Sequence, residues 1–153
     1  MYRDAKFSDC SKYRYRLSRV WDKSKSKVLF IMLNPSEADA KKDDPTIKKC
    51  ISFSKKWGYG GLMVGNLFAY ITPYPKELFS VNNPVGKDNE SNIEIMAKQC
   101  KKIVCAWGNN QGAPPDYFKK FSEIYYLKLL NDGVTPGHPL YLNSSLTPQK
   151  YSF

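Results

Sequence analysis

Three side chains in this sequence combine reactive chemistry with a suggestive setting. Asn34 follows the apolar run Leu29-Phe30-Ile31-Met32-Leu33 and precedes Pro35 and Ser36. Asn66 ends a second apolar run, Leu62-Met63-Val64-Gly65. His138, within Gly137-His138-Pro139-Leu140, is the one histidine of the chain, so imidazole chemistry near neutral pH falls to it alone. A carboxamide donates and accepts hydrogen bonds, so it can hold a water or read the edge of a heterocycle. An imidazole can stabilise an oxygen on which negative charge develops. Each asparagine also has a plain reading as a turn former.

The elements that must position these groups are readable as alternating strands and helices. Residues 13–21 set Tyr13, Tyr15 and Leu17 against Arg14, Arg16 and Arg19, a pattern that suits a strand with one wet face. Residues 27–33 form a continuous apolar strand, covered on both faces. Asp44 then caps a helix that begins at Pro45, where no amide hydrogen is needed, and ends at Gly58. Residues 62–66 predict a second buried strand, 89–101 a helix, 103–107 a third strand and 116–123 a short helix. Residues 124–128 predict a fourth strand, and the remainder of the chain reads as loop. The alternation predicts an α/β fold with a mostly parallel four-stranded sheet and helices on both faces, in one domain over 1–153. Asn34, Asn66, the loop Gly108-Asn109-Asn110 and His138 then come after four successive strands. They gather at the carboxyl edge, where such sheets bind ligands.

Composition narrows the partners. Lys and Arg number 24 against 14 Asp and Glu, a formal charge of +10, which suggests a polyanion such as DNA or a nucleotide. With 42% apolar and 14% aromatic residues the chain is not disordered. No apolar stretch approaches the ~20 residues that span a bilayer, and the N-terminus lacks a signal-like apolar segment. No membrane partner and a cytoplasmic location are therefore expected. Cys10, Cys50, Cys100 and Cys105 include no Cys-x-x-Cys pair, so no zinc site is expected. Cys50 and Cys105 fall at core positions, and the spacing leaves an iron–sulfur cluster open.

These segments, in this order, resemble the uracil-DNA glycosylase superfamily. Leu33-Asn34-Pro35-Ser36 resembles its first motif, Gly65-Asn66-Leu67-Phe68 with Pro73 and Pro75 its middle strand and loop, Ala106-Trp107-Gly108 its next strand end, and Gly137-His138-Pro139-Leu140 the start of its His-Pro motif. The resemblance covers about residues 28–146. It implies a three-layer α/β/α sandwich whose four mostly parallel strands, numbered along the chain, lie in the sheet order 2-1-3-4, plus an N-terminal antiparallel strand. It also implies hydrolysis of the N-glycosidic bond of a flipped-out, normal or modified pyrimidine in DNA, without metal or cofactor. Asn34 would hold the attacking water, His138 would stabilise the departing base, and Asn66 would read the base. Phe53 and Tyr59 are the candidates for stacking on the base, and Ser36, Ser144 and Ser145 for the DNA backbone. The second half of the superfamily's last motif is replaced here by Leu140-Tyr141-Leu142-Asn143-Ser144-Ser145-Leu146.

A second resemblance spans nearly the whole chain. Asn34-Pro35-Ser36 with Ala38-Asp39, Asp43-Asp44-Pro45-Thr46-Ile47, Trp57-Gly58-Tyr59, Asn66-Leu67-Phe68 and His138-Pro139-Leu140 look like a bacterial and phage protein family, which implies no particular activity. Two further readings stand beside the glycosylase. One is a DNA-binding protein of the same fold without catalysis. The other is a metal-dependent nucleotide-processing enzyme in which Asp39 and Asp43, otherwise available for acid–base work, hold Mg²⁺.

Overall fold

The computed structural model describes residues 1–152. It is an α/β fold built on one mixed sheet of seven strands: β1 (Tyr2–Phe7), β2 (Arg14–Val20), β3 (Lys27–Met32), β4 (Gly61–Asn66), β5 (Lys102–Cys105), β6 (Ile124–Tyr126) and β7 (Gln149–Lys150). They lie in the order β1-β2-β4-β3-β5-β6-β7. Strands β4, β3, β5 and β6 pair in parallel at the centre. Antiparallel pairs flank them on both sides, β1 and β2 at one edge and β7 at the other. The expected sheet of four parallel strands and one antiparallel strand is thus too small by two antiparallel edge strands. β1 and β7 are polar and largely exposed, as edge strands can be, and carry no apolar stripe that marks them in the sequence.

Two helices cover the sheet. Helix α1 (Pro45–Lys56) starts as its sequence predicts, with Asp44 Oδ1 accepting from the Ile47 amide at 2.9 Å and Pro45 in the first turn. Its Ile47, Cys50 and Phe53 pack on Val28, Phe30, Met32, Leu62 and Val64. Helix α2 (Asn89–Gln99) packs Ile93 and Met96 on Leu29, Ile31, Met63 and Ile103. Alternate residues of β3 therefore enter opposite cores, which explains its unbroken apolar run. Gly65 permits the close approach of α2, since a Cβ there would lie 2.7 Å from Met96 Cε. The expected short helix at 116–123 is a 3₁₀ turn over Asp116–Lys120. No helix among the described residues is long and apolar enough to cross a membrane.

The first long strand departs from its predicted pattern. Arg14 and Arg19, expected on a wet face, are 3% and 0% exposed. For Arg14 the cause is a register shift in the β1–β2 pair: Lys6 lies opposite Arg16 but Phe7 lies opposite Arg14, so Tyr15 is an extra residue. Arg19 has the parity of Leu17 and so turns inward. Its Nε donates to Asp43 Oδ1 at 2.8 Å, and its other nitrogens donate to the carbonyls of Ser18, Asp39 and Lys42. Replacing Arg19 with methionine should cost about 3 kcal/mol, the low end for breaking a buried ion pair, because Arg3 still reaches Asp43 at 2.9 Å. Urea unfolding of the variant measures this directly.

Candidate active site at the carboxyl edge

The carboxyl ends of β3 through β6 open on a cleft of about 840 Å³ lined in part by Asn34, Ser36, Gly108, Lys128, His138 and Tyr141. A chamber of about 70 Å³ adjoins it on the α1 side. Asn34, Asn66 and His138 all line this chamber, with Arg14, Asp44 and Thr46. Cleft and chamber share Asn34, Ser36, Thr46 and His138.

Asn34 is held firmly. Its Nδ2 donates to the Thr72 carbonyl at 2.7 Å and to the Pro35 carbonyl at 3.1 Å, so both amide hydrogens are spent on the backbone. This NH₂ half of the amide braces the segment after β3 against the distant Thr72, a structural role. The other half, Oδ1, is left as an acceptor, the polarity needed to orient a water by one of its hydrogens.

Asn66 differs in kind. It is 1% exposed, and neither Oδ1 nor Nδ2 has a hydrogen-bond partner. Its parity with Leu62 and Val64 turns it toward α1 and into the chamber. Its backbone carbonyl is satisfied by Asn89 Nδ2 at 2.8 Å. A buried amide with two idle polar atoms is costly, roughly 1–3 kcal/mol, and such groups concentrate where a ligand supplies the missing partners.

His138 is placed by its neighbours' backbones. Gly137 N–H donates to the Lys128 carbonyl and Gly108 N–H to the Pro136 carbonyl, each at 2.8 Å, tying its loop to the ends of β5 and β6. Gly108 has φ +60°, and a Cβ there would lie 3.1 Å from His138 Cβ, so the loops close only on glycine. Trp107 steadies the same loop through its Nε1, which donates to the Gly112 carbonyl at 2.8 Å. His138 Nδ1 accepts from the Leu140 amide at 3.2 Å. The neutral ring therefore carries its proton on Nε2, as a donor. Burial lowers the His138 pKa, with the Asp44 carboxylate pulling the other way.

A histidine whose folded pKa lies below the unfolded value of about 6.5 binds fewer protons when folded. Stability should consequently fall as pH drops below about 6.5. Urea midpoints at pH 7.5 and 5.5 check this, and His138→Gln should flatten the difference.

The remaining candidates separate from this group. Ser36 lines both cavities. Ser144 and Ser145 are exposed and line neither. The Ser144 carbonyl accepts from Lys56 Nζ, and Ser145 Oγ donates to Asn143 Oδ1. Phe53 is 1% exposed in the α1 core, 5.2 Å from the Trp57 ring, so it cannot stack on a base in the cleft. Tyr59 follows α1 and precedes β4, at the amino edge, because α1 runs back across the sheet from the chamber. Asp39 Oδ1 accepts the Lys41 and Lys42 amides, and Asp43 pairs with Arg3 and Arg19. Neither carboxylate lines the cleft or the chamber. Among the described residues no three His, Cys, Asp or Glu side chains gather as a ligand set for a metal. Cys50 and Cys105 are buried thiols with raised pKa values.

Sequence reasoning missed Arg14, because it assumed strict alternation through the extra residue Tyr15. It also missed Tyr141, 83% exposed at the cleft and 5.6 Å from the His138 ring, although its place three residues after the histidine was a signal.

No curated protein and no solved structure matches the chain. Residues 14–140 match the model of the family described as "Protein of unknown function (DUF1643)". With its single histidine, the chamber asparagines and the strands that carry them inside that span or at its edge, the chain belongs to this family.

Proposed function

We propose that the chain is a DNA glycosylase-like hydrolase that releases a flipped-out pyrimidine, normal or modified, with a fold of the uracil-DNA glycosylase type. The observation that carries this reading is the chamber itself: a buried, unpartnered Asn66 amide sits with Asn34 and His138 around one small space beside a large cleft. A volume of about 70 Å³ suits the edge of a flat ring whose body lies in the cleft. Asn66 would donate from Nδ2 and accept at Oδ1, as a lactam edge requires. Water oriented by Asn34 Oδ1 would attack C1′ as the glycosidic bond breaks. The His138 Nε2–H would stabilise the negative charge that gathers on the base. Extruding the base costs a few kcal/mol and needs contacts to the phosphates. Ser36, Lys128 and the lysine surplus would supply them.

The test is incubation with single- and double-stranded oligonucleotides carrying a panel of normal and modified bases, then mass analysis of released base. Release of at least one pyrimidine is expected, and no release from any substrate overturns the reading. Oligonucleotide affinity should also fall steeply between low and physiological salt, by counterion release. Affinity that is flat over that range contradicts a phosphate-gripping role for the basic surface.

A second reading, a DNA-binding protein of this fold without catalysis, draws on the placement of Phe53 and Tyr59 away from the cleft, which leaves it without the expected stacking aromatic. Binding without base release in the same assay selects it.

A further inference from the structure

We propose that Arg14 is a further catalytic residue of this site: its guanidinium contacts the base held by Asn66 and takes up negative charge as that base departs. The inference rests on the glycosylase reading and adds a cation to it.

Arg14 lines the chamber with Asn34, Asn66 and His138. It is 3% exposed, yet its one hydrogen bond runs from Nη1 to the Ala38 carbonyl at 2.9 Å. Nε has no partner, and no carboxylate lies within ion-pairing distance among the described residues. Burial lowers its pKa to about 10, with Asp44 the main opposing charge, so it stays cationic at neutral pH. A buried cation with idle donors is among the costliest features a fold can carry unless something completes its shell.

Arg19 supplies an internal comparison. It lies on the same strand and is as deeply buried, but it is paired with Asp43 and several carbonyls. Arg19 needs no ligand, whereas Arg14 does. The extra residue Tyr15 in the β1–β2 register turns Arg14 toward α1 and the chamber. Its neighbours there are an amide that can read a base edge and an imidazole that donates from Nε2. The missing partner is therefore an acceptor that becomes negative, such as a ring carbonyl oxygen.

The chemistry balances without another reactant. The oxygen of water bonds to C1′ and the C1′–N electron pair leaves with the base. The pair delocalises onto the ring carbonyls facing Arg14 and His138. The proton lost by the water ends on the released base.

The test is single-turnover base release by the wild type, Arg14→Gln and Arg14→Lys. The substrates are oligonucleotides whose pyrimidines carry 5-substituents spanning a range of leaving-group acidity. Arg14→Gln should slow release about 100- to 1000-fold, most for the least acidic base, with oligonucleotide affinity within a few-fold of wild type. Arg14→Lys keeps the charge but presents it as a point rather than a planar fork, so it should lose less rate than Arg14→Gln, with the loss again largest for the least acidic base. Should Arg14→Gln fail to fold, the Arg14→Lys dependence decides. A loss uniform across leaving groups in either variant, or an Arg14→Gln rate equal to wild type, overturns the inference and leaves the glycosylase reading intact. A wild type that releases no base overturns both.

Discussion

His138→Ala should lower base release by at least about 100- to 1000-fold while leaving oligonucleotide affinity within a few-fold of wild type. The size reflects the loss of one preorganised donor to a developing anion in a water-poor site. Affinity stays nearly constant because that interaction strengthens only in the transition state. The chain has no second histidine to take over. Its tautomer is already set, since Nδ1 is occupied by the Leu140 amide and Nε2–H is the free donor. If His138 serves only to hold the 3₁₀ turn Pro139–Tyr141, the variant loses thermal stability instead and keeps its rate per folded molecule. Single-turnover release and a thermal melt on the same sample separate the two outcomes.

Asn66→Leu should stabilise the protein and silence it. Leucine repeats the branched heavy-atom skeleton of asparagine, its extra bulk can enter the adjoining chamber, and it brings no polar atoms into a position where two polar atoms lack partners. Removing that unsatisfied amide should raise stability by about 1–3 kcal/mol, read as a higher urea midpoint. Base release should disappear, because the chamber then offers the base edge an apolar wall. A stabilised, inactive variant is the usual mark of a residue kept for function at the expense of stability. A destabilised variant would show that the Asn66 amide supports the fold, and an active one that it does not face the base.

The features legible in the sequence are those where local chemistry and tertiary context agree. Asp44-Pro45 starts α1 because the cap and the proline need nothing from the rest of the molecule. The unbroken apolar run of β3 means burial on two faces, and two cores take its alternate side chains. Strands of this kind end at one edge, so the residues just beyond them meet there.

The features that stayed hidden depend on neighbours that are distant in sequence. One extra residue in β2 changes which way Arg14 and Tyr15 point, and only the register against β1 reveals it. Phe53 and Tyr59 are aromatic and well spaced, but α1 carries them back toward the amino edge and the core takes Phe53. Asp39 and Asp43 look free along the chain and are engaged by backbone amides and by Arg19 and Arg3 in space. β1 and β7 form because a neighbouring strand offers an unpaired edge, which their own polar residues do not announce.

The most direct measurement is a titration of the ¹⁵N-labelled protein with free pyrimidine and purine bases, observed through the side-chain amide of Asn66 and the ring of His138. At least one pyrimidine should shift the Asn66 Nδ2 hydrogens and the His138 Nε2 resonance together, and Asn66→Leu should abolish the His138 response. A protein in which no base moves either signal at millimolar concentration would contradict the shared chamber. Shifts confined to the cavity of about 450 Å³ at the amino edge, between Glu94 and Glu123, would contradict it equally.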